Sequence, residues 1–177
     1  LTELHESGTF EQPDDNLLPD ARHETFSVTR TFDADSATVF SSFADERIRR
    51  RWFRLPGSGA TYDHDFRVGG GEDASSTFVM PDGREERLRN RSRYLDILPG
   101  RRIVFVYEAI VNEVTRWASL VTVILNDASD RGSTLTWTEQ VVFLARTGDG
   151  SADLPHVRTG TSLRLNGIPG ALSDSGL

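Results

Sequence analysis

The 177-residue chain carries 27 acidic residues against 20 basic ones, a formal net charge of −7, with 37% hydrophobic and 27% charged residues, the balance of an ordinary globular protein. It has no cysteine, and every one of the 20 basic residues is arginine. Those two absences exclude disulfides, thiolate nucleophiles, cysteine-built zinc sites, Schiff-base lysines, the P-loop lysine and Ser–Lys pairs.

The first 24 residues hold seven of the acids (Glu3, Glu6, Glu11, Asp14, Asp15, Asp20, Glu24) against Arg22 alone. With Pro13, Pro19 and little periodicity, residues 1–25 are expected to form an acidic, flexible arm, and 26–177 one domain. No run approaches the roughly 18 apolar residues of a membrane span. The opening residues lack the basic and apolar segments of a secretory signal, so the cytoplasm is the expected location.

Phe26, Val28 and Phe32 recur at period two and predict a strand over 26–33. Asp35 or Ser36 can cap a helix bearing Val39, Phe40 and Phe43 on one face. A second short helix places Ile48 and Trp52 one turn apart. Segments 63–68, 74–80, 84–97, 102–109, 116–126 and 133–145 then read as strands. Their punctuators are Gly69-Gly70-Gly71, Pro81-Asp82-Gly83, Pro99-Gly100 and Asp130-Arg131-Gly132. Such short connections favour antiparallel neighbours. Arg146–Leu154, rich in Gly, Asp and Ser, reads as a mobile loop. A final helix follows, with Asp153 as candidate cap and Pro155 in its first turn. Val157, Thr161, Leu165, Ile168 and Leu172 share one face, and Gly167 and Pro169 should kink or end the helix.

Several stretches together resemble the START-like (SRPBCC) superfamily, and within it bacterial proteins similar to the C-terminal domain of the activator of heat-shock protein 90 ATPase. They are Arg30-Thr31-Phe32-Asp33-Ala34, Val39-Phe40 leading to Trp52-Phe53, Phe66-Arg67-Val68-Gly69-Gly70 and Pro81-Asp82-Gly83. Ile97-Leu98-Pro99-Gly100-Arg101-Arg102-Ile103-Val104-Phe105 and Thr134-Leu135-Thr136-Trp137-Thr138-Glu139-Gln140 complete the set. The resemblance implies an α+β helix-grip fold: a curved antiparallel sheet of about seven strands wrapped around a long C-terminal helix, with two short helices after the first strand. It also implies adjacent first and last strands, and a cavity that takes a small hydrophobic or amphipathic molecule. Two alternatives use the same scaffold: a cyclase- or aromatase-like enzyme, and a co-chaperone-like regulator whose partner is a chaperone or another protein.

Arg30 shares strand parity with Phe26 and Val28, and Glu139 with Leu135 and Trp137, so the two are expected to face inward and pair across neighbouring strands, as a polar ligand-binding anchor at the end of the pocket or as a structural ion pair that fixes register. Trp52, Phe66, Phe78, Tyr94, Phe105, Tyr107, Trp117, Trp137 and Leu165 are the candidate cavity walls, with Tyr94 and Tyr107 offering hydroxyls. Arg87, Arg89, Arg91 and Arg93 alternate on one strand face, and the expected role is a solvated face paired with Glu85, Glu86 or Asp96 rather than nucleic-acid binding. His5, His23, His64 and His156 show no metal-ligand spacing, and no motif calls for a cofactor. Asp63-His64-Asp65 reads as a turn. His156 is the candidate general base of the enzyme alternative, with Glu139 or Tyr107 as helpers. A monomer and a homodimer are both compatible with the pattern.

Overall fold

A computed structural model describes residues 17–128 and 131–176 of the chain. The described residues form strands β1 (Leu17–Phe32), β2 (Ser58–His64), β3 (Glu72–Val79), β4 (Glu85–Leu98), β5 (Arg102–Val111), β6 (Val114–Asp127) and β7 (Ser133–Ala145). Helices α1 (Ser36–Ala44) and α2 (Glu46–Trp52) follow β1, and α3 (Asp153–Asn166) and α4 (Ile168–Ser173) close the chain. The strands make one antiparallel sheet in the order β1-β7-β6-β5-β4-β3-β2. β2 to β7 meander across it, and β7 returns beside β1 with Arg30 opposite Leu135 and Phe26 opposite Glu139. This is the expected α+β helix-grip architecture.

Local chemistry explains the helices. The Asp35 carboxylate accepts from the Thr38 N–H at 2.7 Å and starts α1, and Asp45 does the same for α2 through Arg47. Val39 and Phe43 of α1 and Ile48 and Trp52 of α2 are buried against the inner sheet face, where Phe105, Val121, Val123, Leu135 and Phe143 lie. Along α3 and α4 the stripe Val157, Thr161, Leu165, Ile168 and Leu172 is buried as its spacing predicts. The helix divides at Gly167, where a Cβ would come within 3.3 Å of Trp52 Cβ, so α2 packs tightly on the joint.

Three local expectations are corrected. β1 starts at Leu17, not near residue 26, because Arg22 and Glu24 occupy inward positions where the apolar alternation would be read. Arg22 lies 4.7 Å above the Phe143 ring and donates to the Gly150 carbonyl, so a charged residue serves there and also ties down the loop expected to be mobile. The part of the acidic arm in residues 1–16 lies outside the described residues. β2 sits at 58–64, and Phe66 and Val68 fall in the loop after it. That loop joins β4 through Gly69 N–H to the Tyr94 carbonyl and Tyr94 N–H to the Gly70 carbonyl. Gly71 runs so close that a Cβ would sit 1.9 Å from the Ser92 carbonyl oxygen, which only glycine permits. Lastly, Asp153 is not the cap of α3: its carboxylate accepts from Thr147 N–H at 3.1 Å and faces Arg22.

Candidate functional site

Two polar nests are built into the inner face. The first begins on α2, where Arg49 lies one turn before Trp52 and turns inward with Ile48. Its guanidinium meets Glu72, the first residue of β3, through Nε to Oε1 at 2.6 Å and Nη2 to Oε2 at 2.8 Å. This two-bond fork suits a buried carboxylate. The Trp52 and Phe53 rings flank the cation at 4.2 and 4.5 Å. The Tyr62 hydroxyl donates to Glu72 Oε1 at 2.5 Å, and His64 stands 4.0 Å from the same oxygen and 3.2 Å from the Tyr94 hydroxyl. Burial pushes the Glu72 carboxyl up, but the charge and hydrogen bonds of Arg49, aided by Tyr62, outweigh it and hold the carboxyl below its ordinary range. Burial, then the neighbouring Glu72, raises Tyr62 and Tyr94, so both stay phenols that donate. Burial likewise pushes His64 below the usual imidazole value. Arg49 Nη1 is buried with no hydrogen-bond partner among the described residues.

The second nest surrounds Glu139 of β7. Its Oε1 accepts from the Tyr107 hydroxyl at 2.5 Å and the Ser119 hydroxyl at 2.6 Å, and Oε2 accepts from the Trp137 indole at 2.9 Å. Trp117 donates to the Tyr107 oxygen at 3.1 Å. Among the described residues no cation stands within ion-pair distance of Glu139. Tyr107 is raised by burial first and then by Glu139.

Between the nests, under α3, lies a cavity of about 20 Å³. Its polar lining is Arg49, Glu72, Asn90, Tyr107, Thr161 and Arg164; its apolar walls are Trp52, Phe53, Phe105, Trp137 and Leu165. By volume it holds about one water molecule. Arg164 is half-buried, its guanidinium 5.0 Å from the Phe53 ring, and among the described residues no carboxylate reaches it. Burial and the like charge of Arg49 depress its pKa, although Tyr107, Glu139 and Glu72 pull the other way. A much larger concavity, about 1120 Å³, lies elsewhere, as an open trough lined by strands and loops. Val106, Glu108, Ala118, Leu120, Gln140 and Val142 have the parity opposite to the core, which puts the trough on the outer face.

Of the expected wall residues, Trp52, Phe105, Tyr107, Trp137 and Leu165 line the interior cavity. Phe66 and Tyr94 continue it as a ring stack, with Phe66–Tyr94 at 4.9 Å, Tyr94–Phe105 at 5.9 Å and Phe105–Trp137 at 5.5 Å. Trp117 stands behind Tyr107, and Phe78 lies half-buried towards the far end of β3, opposite Glu86 and off the cavity. Arg30 and Glu139 both take inward positions, but they do not pair. Arg30 Nε donates to Asn166 at the end of α3 at 2.7 Å, because it lies two inward positions beyond the Phe26 that faces Glu139. His156 is exposed; its ring centroid is 6.4 Å from that of Trp117, which separates it from Tyr107 and Glu139. The arginines at 87, 89, 91 and 93 are exposed, and three of them pair with Glu113, Asp73 and Glu108 on neighbouring strands and turns instead of the acids expected.

Arg49, Tyr62, His64, Glu72, Asn90, Thr161 and Arg164 were not among the expected site residues. Arg49 is hidden inside the run Arg49-Arg50-Arg51, which reads as a solvated face; its spacing of three from Trp52 was the available signal. Glu72 shares parity with Ala74 and Ser76, which also point inward.

A family model described as Activator of Hsp90 ATPase homolog 1-like protein matches residues 33–169. No curated protein matches the chain. A solved structure of an uncharacterised protein from Rhizobium leguminosarum is 32% identical, covering 88% of this chain and 97% of its own, with a TM-score of 0.73. The Mll3558 protein from Rhizobium loti is 36% identical over 81% of this chain and 96% of its own, with a TM-score of 0.66. A protein of unknown function from Staphylococcus aureus, SA2116, shares the fold at 9% identity, with a TM-score of 0.67 over 89% of this chain and 98% of its own.

Proposed function

We infer from one premise, that the chain belongs to the family of Activator of Hsp90 ATPase homolog 1-like proteins within the START-like group, that its task is to bind a small amphipathic molecule between the sheet and α3. The observation that carries this reading is the composition of the seam: aromatic walls from Trp52, Phe53, Phe105 and Trp137 beside a buried, unpartnered Nη1 on Arg49 and a half-buried Arg164 that no described carboxylate reaches. Binding pockets combine an apolar lining with a few converging polar groups in this way.

A guest needs far more room than 20 Å³, so one wall has to move. α3 is the wall we take to move: its buried face is Val157, Thr161 and Leu165, with Asp153 tied to Arg22 at its start and Asn166 to Arg30 at its end. Exposing one valine and one leucine costs about 1.5–3 kcal/mol each, whereas burying roughly 200 Å² of apolar guest surface contributes about 5 kcal/mol. Displacement of α3 by a guest is therefore within reach of the hydrophobic effect.

The test is titration with the neutral fluorophore phenylnaphthylamine, read through its own emission and through quenching of Trp52 and Trp137, with native mass spectrometry of the purified protein. Saturable one-to-one binding, lost in a folded Thr161→Trp variant that fills the seam, is the expected result. No saturable binding would overturn the reading. Stimulation of a chaperone ATPase by protein with an unfilled seam would replace it with the co-chaperone alternative.

A further inference from the structure

The seam contains four charged side chains, and they do not match up as two pairs. Arg49 and Glu72 form a two-bond pair, yet Arg49 keeps Nη1 buried and unbonded beside the cavity. Arg164 enters from α3 with only the face of Phe53 as a described partner. Glu139, the other carboxylate in the neighbourhood, accepts from Tyr107, Ser119 and Trp137, and no ion pair between it and Arg164 is among the described contacts. Two guanidiniums thus border one small cavity, Arg49 with a buried Nη1 that has no described acceptor and Arg164 with no described carboxylate partner.

We infer that the guest carries a single negative charge on a planar head, a carboxylate, which docks between Arg164 and Arg49 Nη1 with its apolar body along Trp52, Phe105 and Trp137. This deepens the proposed binding function and rests on it. A guanidinium is desolvated at a real cost, and an anion within hydrogen-bond reach removes that cost. Burial and Arg49 already depress Arg164, so it is the group an incoming anion would stabilise most. A monoanion pairs with Arg164, the seam cation that no described carboxylate reaches, as Glu72 pairs with Arg49. A dianionic phosphate would set its extra charge against Glu72 and Glu139 at short range, which disfavours it. A cationic head would meet two guanidiniums and be excluded.

Displacement of phenylnaphthylamine by three molecules of equal chain length, decanoate, decanol and decylamine, tests the inference on the intact chain. Decanoate should displace the probe at least about tenfold more tightly than decanol, the worth of a hydrogen bond to a charged group, and decylamine should be weakest. In Arg164→Gln the ratio of the decanoate and decanol displacement constants should fall to near unity, whatever the probe's own affinity for the variant. Arg164→Lys, which retains the charge, should retain most of the preference. Equal displacement by decanoate and decanol in the wild type, with the probe bound, overturns the anionic head and leaves the binding function standing. Failure of the probe itself to bind overturns the binding function, and the inference with it. A preference that survives unchanged in Arg164→Gln overturns the assignment of Arg164.

Discussion

Glu72 and Glu139 are buried to the same degree, 3% and 0% exposed, and the protein holds them by different means. Glu72 has a guanidinium across both oxygens and a phenol on one. Glu139 has only neutral donors: two hydroxyls and an indole. The first arrangement locks α2 to the start of β3 and so fixes one wall of the seam. The second lies within three adjacent strands and fixes Tyr107, whose ring is part of the opposite wall. A buried carboxylate is tolerated in either way, but a charge pair punishes the loss of one member far more than a set of neutral donors does.

The largest effect should follow Glu72→Gln. Arg49 would remain charged, 2% exposed and surrounded by Trp52 and Phe53, with its compensating charge gone. Breaking a buried pair from one side costs about 3–5 kcal/mol, and urea unfolding should show a loss of unfolding free energy of that size. Arg49→Met combined with Glu72→Met removes both charges and should recover most of the loss. A cost below about 1 kcal/mol for the single change would erase the distinction between the nests.

The same contrast decides what could be read from the sequence. Glu139 was legible because it interrupts the alternation Leu135, Trp137, Val141, Phe143, where a charged residue at an inward position stands out. Its partners were partly legible, since Tyr107 and Trp137 were expected walls, but the geometry that gives them to Glu139 and gives Arg30 to Asn166 depends on strand register. The Arg49 nest was not legible. Its members come from α2, β2, β3 and β4; Trp52 and Tyr94 were expected walls, but Arg49, His64 and Glu72 sit in stretches with an ordinary local explanation: an arginine run, an Asp-His-Asp turn, a strand beginning after three glycines. The fold, by contrast, was carried by signals repeated along the chain, such as turn residues between alternating strands and the long apolar stripe of α3 and α4.

Glu139→Gln should cost less than Glu72→Gln. The amide oxygen can still accept from Tyr107 and Ser119, but its NH₂ would face the Trp137 indole, leaving two neutral donors without an acceptor. At about 1 kcal/mol each they stay below the cost of a stranded charge. Near-ultraviolet circular dichroism should report the changed setting of Trp137, and urea unfolding the stability loss. A cost above that of Glu72→Gln would reverse the ranking and place the greater electrostatic dependence at β7.

The smallest effect is a pH dependence confined to one nest. His64, with its side chain 1% exposed beside Glu72 and Tyr94, is held below the usual imidazole range by burial. The unfolded chain takes up a proton there near pH 6.5, where the folded chain does not, so stability rises with pH across this window and falls on acidification below it. The depressed Glu72 carboxyl contributes stability that is present above its unfolded value near pH 4.3 and is lost as pH falls through the lower folded one, so its window is separate and more acidic. Between pH 7.5 and 5.5 the wild type should lose up to about 1 kcal/mol that His64→Gln does not lose. Among the described residues no histidine bonds to the Glu139 nest, so Glu139→Gln should keep the wild-type slope. A slope unchanged by His64→Gln, or one abolished by Glu139→Gln, would show that the proton is taken up elsewhere.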